Sequence, residues 1–186
     1  MTETGISDKE IIEKIKTAKN KDAVFELLVK KYQERLYWHI RKMVISHDDT
    51  DDILQNTFIK VWKGLDNFRG DASLYTWLYR IATNETLTFL KGRDKRKAVL
   101  MDDEENTIGN RLKSDDGFNG NELQTKLQKF ILMLPEKQRL IFNMKYFEEM
   151  KYEEIAEITG TSVGALKASY HHAVNKIKAF FKDEMI

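Results

Sequence analysis

The chain contains no cysteine, a single proline (Pro135) and only nine glycines in 186 residues. Without cysteine there is no disulfide, no thiolate zinc site and no thiol nucleophile, and nothing suggests an oxidising compartment, so a cytoplasmic location is expected. Average usage of about 5% would place roughly nine prolines in a chain of this length. The shortage of both turn-forming residues argues against β architecture built on many tight turns. Long apolar runs are missing too. The longest, Phe130–Leu134, falls far short of the roughly 20 residues needed to cross a bilayer, and the N-terminus shows no signal-peptide core, so no membrane insertion is expected. An excess of one charge is also absent: a net +1 excludes a uniformly basic coat for nucleic acid. There is no glycine-rich phosphate loop and no H-E-x-x-H motif. No enzyme activity, no cofactor and no metal are therefore expected.

What is present reads as helix. Charged residues make up 33% of the chain against 41% hydrophobic, the balance of amphipathic helices with solvated outer faces. Ser7-Asp8-Lys9-Glu10 has the form of a capping box and opens a short first helix. From Phe25 the apolar residues Leu28, Val29, Tyr32, Leu36, Ile40 and Met43 recur every three or four positions, which predicts one long amphipathic helix. Asp48, Asp49, Asp51 and Asp52 cluster where a third helix starts, opposing its macrodipole; Leu54, Phe58, Val61 and Leu65 continue it. After a break at Asn67–Asp71, a fourth helix is predicted from near Ser73 to about Lys91. Periodicity is then lost. Met101–Asp116 holds six acids against two bases, the composition of a solvated linker. About thirty residues without pattern are unusual inside one compact domain. The expectation is an all-α protein of two small helical domains, 1–93 and 121–186, joined by a flexible charged linker, 94–120.

The second domain carries a recognisable motif. Pro135 suits a first helical turn, where its missing N–H has no partner to lose. Tyr152–Leu166 then reads as helix, glycine turn and second helix, with Ala156, Gly160 and Leu166 at the spacing of a helix-turn-helix. On the last helix Val163, Leu166, Tyr170, Ala173 and Ile177 fall on one arc, and Lys167, Ala168, His171, His172, Asn175, Lys178 and Lys182 on the other. Four lysines and no acid lie between Val163 and Lys182, whereas Tyr152–Ile158 has three glutamates. A lysine-rich face is also what plain solvation produces; the turn spacing favours contact with DNA. Neighbouring histidines project about 100° apart, so His171 and His172 make poor joint metal ligands.

The first domain has a second basic surface. Lys60–Lys97 holds nine bases and four acids, interleaved with Trp62, Phe68, Tyr75, Trp77, Tyr79 and Phe89. Cations that follow a backbone and rings that stack bases are how proteins hold single strands. Trp77, Arg80, Asn84, Thr88 and Lys91 share an arc separate from the predicted core, although aromatic residues at helical spacing are commonly core as well.

These residues resemble a known family. Asp51-Asp52-Ile53-Leu54-Gln55-Asn56-Thr57-Phe58, Phe68-Arg69-Gly70-Asp71 and Tyr75–Asn84 look like the second conserved region of bacterial RNA polymerase sigma factors of the extracytoplasmic-function (ECF) group. Leu134–Arg139 and Tyr152–Ala156 look like the fourth. The resemblance implies that Asp51, Asp52, Leu54, Gln55 and Phe58 dock on core RNA polymerase. It implies that Lys63, Phe68, Arg69, Tyr75, Trp77, Arg80 and Asn84 hold the unpaired strand of the minus-ten promoter element. Lys167, Ala168, His171, His172 and Asn175 would read the minus-thirty-five element in the major groove. Promoter DNA and core polymerase are the implied partners, with an anti-sigma factor as a further one. Where the family usually places arginines this chain has Ser169 and His172, and Ala168 stands for a serine, so less bidentate guanine readout is expected. The rival reading is a stand-alone helix-turn-helix regulator.

Overall fold

The computed structural model describes residues 6–17, 21–100 and 122–183. Among them there are helices and no strand: α1 Asp8–Thr17, α2 Lys21–Val44, α3 His47–Gly64, a 3-10 turn Leu65–Asn67, α4 Leu74–Leu100, α5 Glu122–Met133, α6 Glu136–Tyr146, α7 Tyr152–Thr159 and α8 Val163–Asp183.

The helix boundaries follow from local chemistry. At α1 the Ser7 N–H donates to Glu10 Oε2 (2.6 Å) and the Glu10 N–H to Ser7 Oγ (3.3 Å), the reciprocal arrangement of a capping box. Ser46 caps α3, its side chain accepting from the Asp49 N–H at 3.3 Å. Ser73 does the same for α4, accepting from the Thr76 N–H at 3.0 Å. Pro135 precedes α6 in extended backbone. Gly160 ends α7 in the left-handed region, φ 67°, where a Cβ would be strained.

α4 departs from expectation. It continues past Lys91 and through the anticipated boundary at residue 93, as far as Leu100. Apolar periodicity fades after Gly92, but Arg93–Leu100 contains no proline or glycine and six good helix formers, Arg93, Lys95, Arg96, Lys97, Ala98 and Leu100. Propensity therefore sustains the helix where no stripe announces it. The rest of the expected linker, 101–120, and its acidic stretch lie outside the described residues.

In the N-terminal half, Leu28, Leu36 and Ile40 of α2, Ile53 and Val61 of α3, and Leu74, Leu78, Ala82 and Leu90 of α4 are buried together. The same buried cluster continues into the C-terminal half through Leu140, Ile141 and Met144 of α6, Ile155 and Ile158 of α7, and Leu166 of α8. α6 lies against α2 and α7 against α4. A smaller cluster, Ile131, Leu134, Phe142 and Ala173, holds α5 to α8.

Candidate nucleic-acid interface

The α4 stripe is built by packing behind it. Leu74, Leu78, Ala82 and Leu90 bury one side of the helix, which leaves Arg80, Asn84, Thr88 and Lys91 exposed. Trp77 sits at the margin, half-buried, its ring tilted against Phe68 with centroids 4.9 Å apart. Phe68 is itself buried at 9% exposure. It therefore serves as the wall behind Trp77 rather than as a free stacking surface. Arg69 and Lys63 are exposed nearby in sequence. Tyr75 is half-buried, its ring tilted against that of Tyr79 with centroids 4.3 Å apart; burial pushes its hydroxyl up to about 12. It behaves as part of the scaffold.

On α8, Leu166 and Ala173 are buried, and Val163, Tyr170 and Ile177 are half-buried. Lys167, Ala168, His171, His172 and Asn175 are all exposed. Ser162 begins the helix, its Oγ accepting from the Ala165 N–H at 3.4 Å. Asn175 Nδ2 lies 2.8 Å from Nε2 of His171, one turn apart on the exposed face. Lys167 Nζ lies 5.7 Å from the Tyr152 ring centroid, so α7 steadies this exposed lysine. Among the described residues no group of three or more His, Cys, Asp or Glu could hold a metal.

The α3 acids divide into two sets. Asp48 and Asp49 occupy the first turn; Asp51, Asp52 and Gln55 are exposed further along. Leu54 and Phe58 are half-buried against the core, with Phe58 edge-on to Phe25 at 6.1 Å. The sequence reading overlooked Ile59, 44% exposed. Its signal was an isoleucine four residues after Gln55, on the polar face of an otherwise regular helix.

It also overlooked the groups that join the two halves. His39, 2% exposed, faces the Glu148 carboxylate through Nδ1 (3.1 Å) and the Thr83 hydroxyl through Nε2 (2.9 Å). Asn143 Nδ2 donates to the Lys42 carbonyl at 3.2 Å. Arg80 Nη2 donates to the Glu157 carbonyl at 2.5 Å, and Thr76 Oγ1 lies 3.4 Å from Glu157 Oε2. Burial and the neighbouring Asp94 hold the Glu136 carboxyl above the usual range. The available signal was polar side chains at core positions: His39 three residues after Leu36, and Asn143 between Phe142 and Met144.

Two exposed basic faces on one helical chain, one bearing an aromatic residue and one on a helix-turn-helix, define a DNA-directed protein. Comparison narrows the class. Residues 28–96 match the family Sigma-70 region 2 and residues 124–177 match Sigma-70, region 4. The ECF RNA polymerase sigma-E factor of Haemophilus influenzae is 30% identical over 181 residues, covering 93% of this chain and 94% of that protein. The fold is similar to that of CnrH in complex with the cytosolic domain of CnrY, with TM-score 0.67, 22% identity and coverage of 95% and 97%. It is also similar to the sigma factor RpoE in complex with the anti-sigma factor NepR from Bartonella quintana, with TM-score 0.64, 23% identity and coverage of 88% and 98%. The chain belongs to the ECF sigma-factor family. Membership sets aside the stand-alone regulator, and the family consists of initiation factors, not enzymes. No described helix is long and apolar enough to cross a membrane.

Proposed function

We propose that this chain is the dissociable subunit that gives core RNA polymerase its promoter specificity in the cytoplasm and helps open the duplex, with no active site of its own. The observation that carries this reading is the coexistence of the exposed Arg80–Asn84–Lys91 line beside Trp77 on α4 with the exposed Lys167–His171–Asn175 face on α8. The first suits an unpaired strand, with cations along phosphates and a ring against a base. The second suits an intact major groove. Asp51, Asp52 and Gln55, backed by Leu54 and Phe58, offer an acidic platform to a basic surface of the polymerase. An anti-sigma protein is a further partner, supported by the similarity in fold to a sigma factor solved with one.

Melting exchanges stacking of about 1.4 kcal/mol per base-pair step for contacts with released bases, so losing one base contact should slow opening without loosening the polymerase. Asn84→Ala is expected to weaken open-complex formation by roughly tenfold, equivalent to the loss of one base contact, while leaving affinity for core polymerase unchanged. Permanganate footprinting and a polymerase-binding titration measure the two separately. Equal loss of both would remove Asn84 from the strand-holding role.

A further inference from the structure

The exposed face of α8 carries a polar contact between two of its own side chains. The Asn175 amide meets Nε2 of His171 across one helical turn, Nδ2 to Nε2 2.8 Å, and both residues are exposed. An amide nitrogen only donates, so this arrangement belongs to an imidazole whose Nε2 carries a lone pair. An imidazole with a proton on Nε2 requires the amide turned over, with Oδ1 accepting. Which end of the Asn175 amide faces the ring, and which faces outward, is thus decided by the proton on Nε2.

The surroundings leave that pairing without a rival. No acid lies between Val163 and Lys182, and the charged groups nearest along the helix are Lys167, Lys176 and Lys178. His172 is the adjacent ring, centroids 6.3 Å apart. From α7, Tyr152 faces Lys167 at 5.7 Å; from α6, Lys145 faces Tyr152 at 5.1 Å and Gln138 bonds Lys176 at 3.1 Å. From α5, Phe130 stacks on Phe180. Among the described residues, the ion pairs to histidine are those of His39 with Glu148 and His47 with Asp51, so no carboxylate competes with Asn175 for the His171 proton.

We infer that His171 and Asn175 form one reading unit, in which the protonation state of His171 sets the hydrogen-bonding pattern that Asn175 presents to a base. This rests on the reading of α8 as the face that reads duplex. In water such a pair, one turn apart, is weak; in a groove the water is displaced, and a polar atom left without a partner is costly. A neutral imidazole can take the tautomer with its proton on Nδ1. Asn175 then keeps Oδ1 and one amide hydrogen free, the acceptor and donor that match adenine N6 and N7. An imidazolium carries protons on both nitrogens, engages Oδ1, and leaves Asn175 only amide hydrogens, which suit guanine N7 and O6. The unit selects adenine when His171 is neutral and guanine when it is charged.

The full chain, assembled with core RNA polymerase, is used to select from promoter-length duplexes randomised upstream of the minus-ten element. Bound duplexes are sequenced after selection at about pH 8 and about pH 5.5, on either side of the ordinary imidazole value near 6.5. At one position of the enriched upstream element, adenine should exceed guanine by roughly tenfold at the higher pH, as for one bidentate contact, and the order should reverse at the lower pH while other positions stay as they are. Asn175→Ala, at an exposed helical position where alanine is well tolerated, should abolish the preference at that position at both pH values. His171→Gln, which can donate or accept but does not titrate, should show the same preference at both. An unchanged base preference in the natural chain would overturn the unit, as would its pH dependence surviving in Asn175→Ala. So would a pH effect uniform across all sequences, which reports only imidazolium charge against phosphate. Failure of the underlying reading has a different signature: no upstream sequence would be enriched at either pH, by the natural chain or by any variant.

Discussion

Trp77 owes its position to space left by another residue. A Cβ placed on Gly64 would lie 3.1 Å from Trp77 Cζ2, so the last residue of α3 must be small for the ring to settle between α3 and Phe68. Gly160 is required for a different reason. Its φ of 67° lies where an L side chain costs about 1–2 kcal/mol, and no neighbouring atom would crowd a Cβ there. Gly160→Ala is therefore expected to lower unfolding free energy by about 1–2 kcal/mol through backbone strain alone, measured by urea titration. An unchanged midpoint would show that the turn between α7 and α8 relaxes freely. Trp77 and Gly160 were both legible in the sequence, one as an aromatic residue off the core arc and the other as the glycine of a helix-turn-helix. Phe68 was only half legible: its place in the motif could be read, but burial makes it a support for Trp77.

At the scale of the element, α3 separates two uses of acid. The macrodipole's effect fades within the first turn, so Asp48 and Asp49 serve the helix while Asp51 and Asp52 lie beyond its reach. Asp51 is 3.6 Å from His47, an exposed contact of little energetic weight. Charge reversal at Asp51→Lys and Asp52→Lys should leave helicity unchanged yet reduce affinity for core polymerase at least about tenfold by placing like charges together. Asp48→Asn with Asp49→Asn should instead cost about 0.3–1 kcal/mol of stability per residue with little change in binding. Circular dichroism and a binding titration distinguish the cases, and equal losses from both pairs would dissolve the distinction. α4 marks where pattern reading stopped short. Its first half was legible because Leu74, Leu78 and Ala82 repeat; its continuation to Leu100 depends on propensity, which carries no periodic signature.

At the scale of the whole molecule, the seam between the halves was the least legible feature. Periodicity reports that a face is apolar, not which partner covers it, and α6 and α7 cover α2 and α4 across more than 60 intervening residues, as with Thr76 and Glu157. Buried tyrosines tie this packing to pH. Burial pushes the Tyr75 hydroxyl up to about 12, and burial holds Tyr32 and Tyr79 well above the usual phenol range, with Asp8 adding to the effect at Tyr32 and Glu148 at Tyr79. The folded chain keeps these protons at pH values where the unfolded chain gives them up. The resulting stability is fully present below about pH 10 and declines as pH rises from there through about 12. Denaturant midpoints should be flat from pH 8 to about 9.5 and then fall, together with the appearance of phenolate absorbance. Phenolate appearing for all seven tyrosines before any loss of stability would contradict the burial.

If α4 holds melted DNA and α8 reads duplex, as proposed, synthesis of the transcript falls to core RNA polymerase. The most direct test maps transcript 5′ ends made by purified core RNA polymerase on fragmented genomic DNA of the source organism, with and without the chain. New start sites that share upstream elements near minus ten and minus thirty-five, and that vanish with the Asp51→Lys, Asp52→Lys pair, are the expected result. The same start sites with and without the chain, despite tight binding of the chain to duplex DNA, would contradict the sigma-factor role.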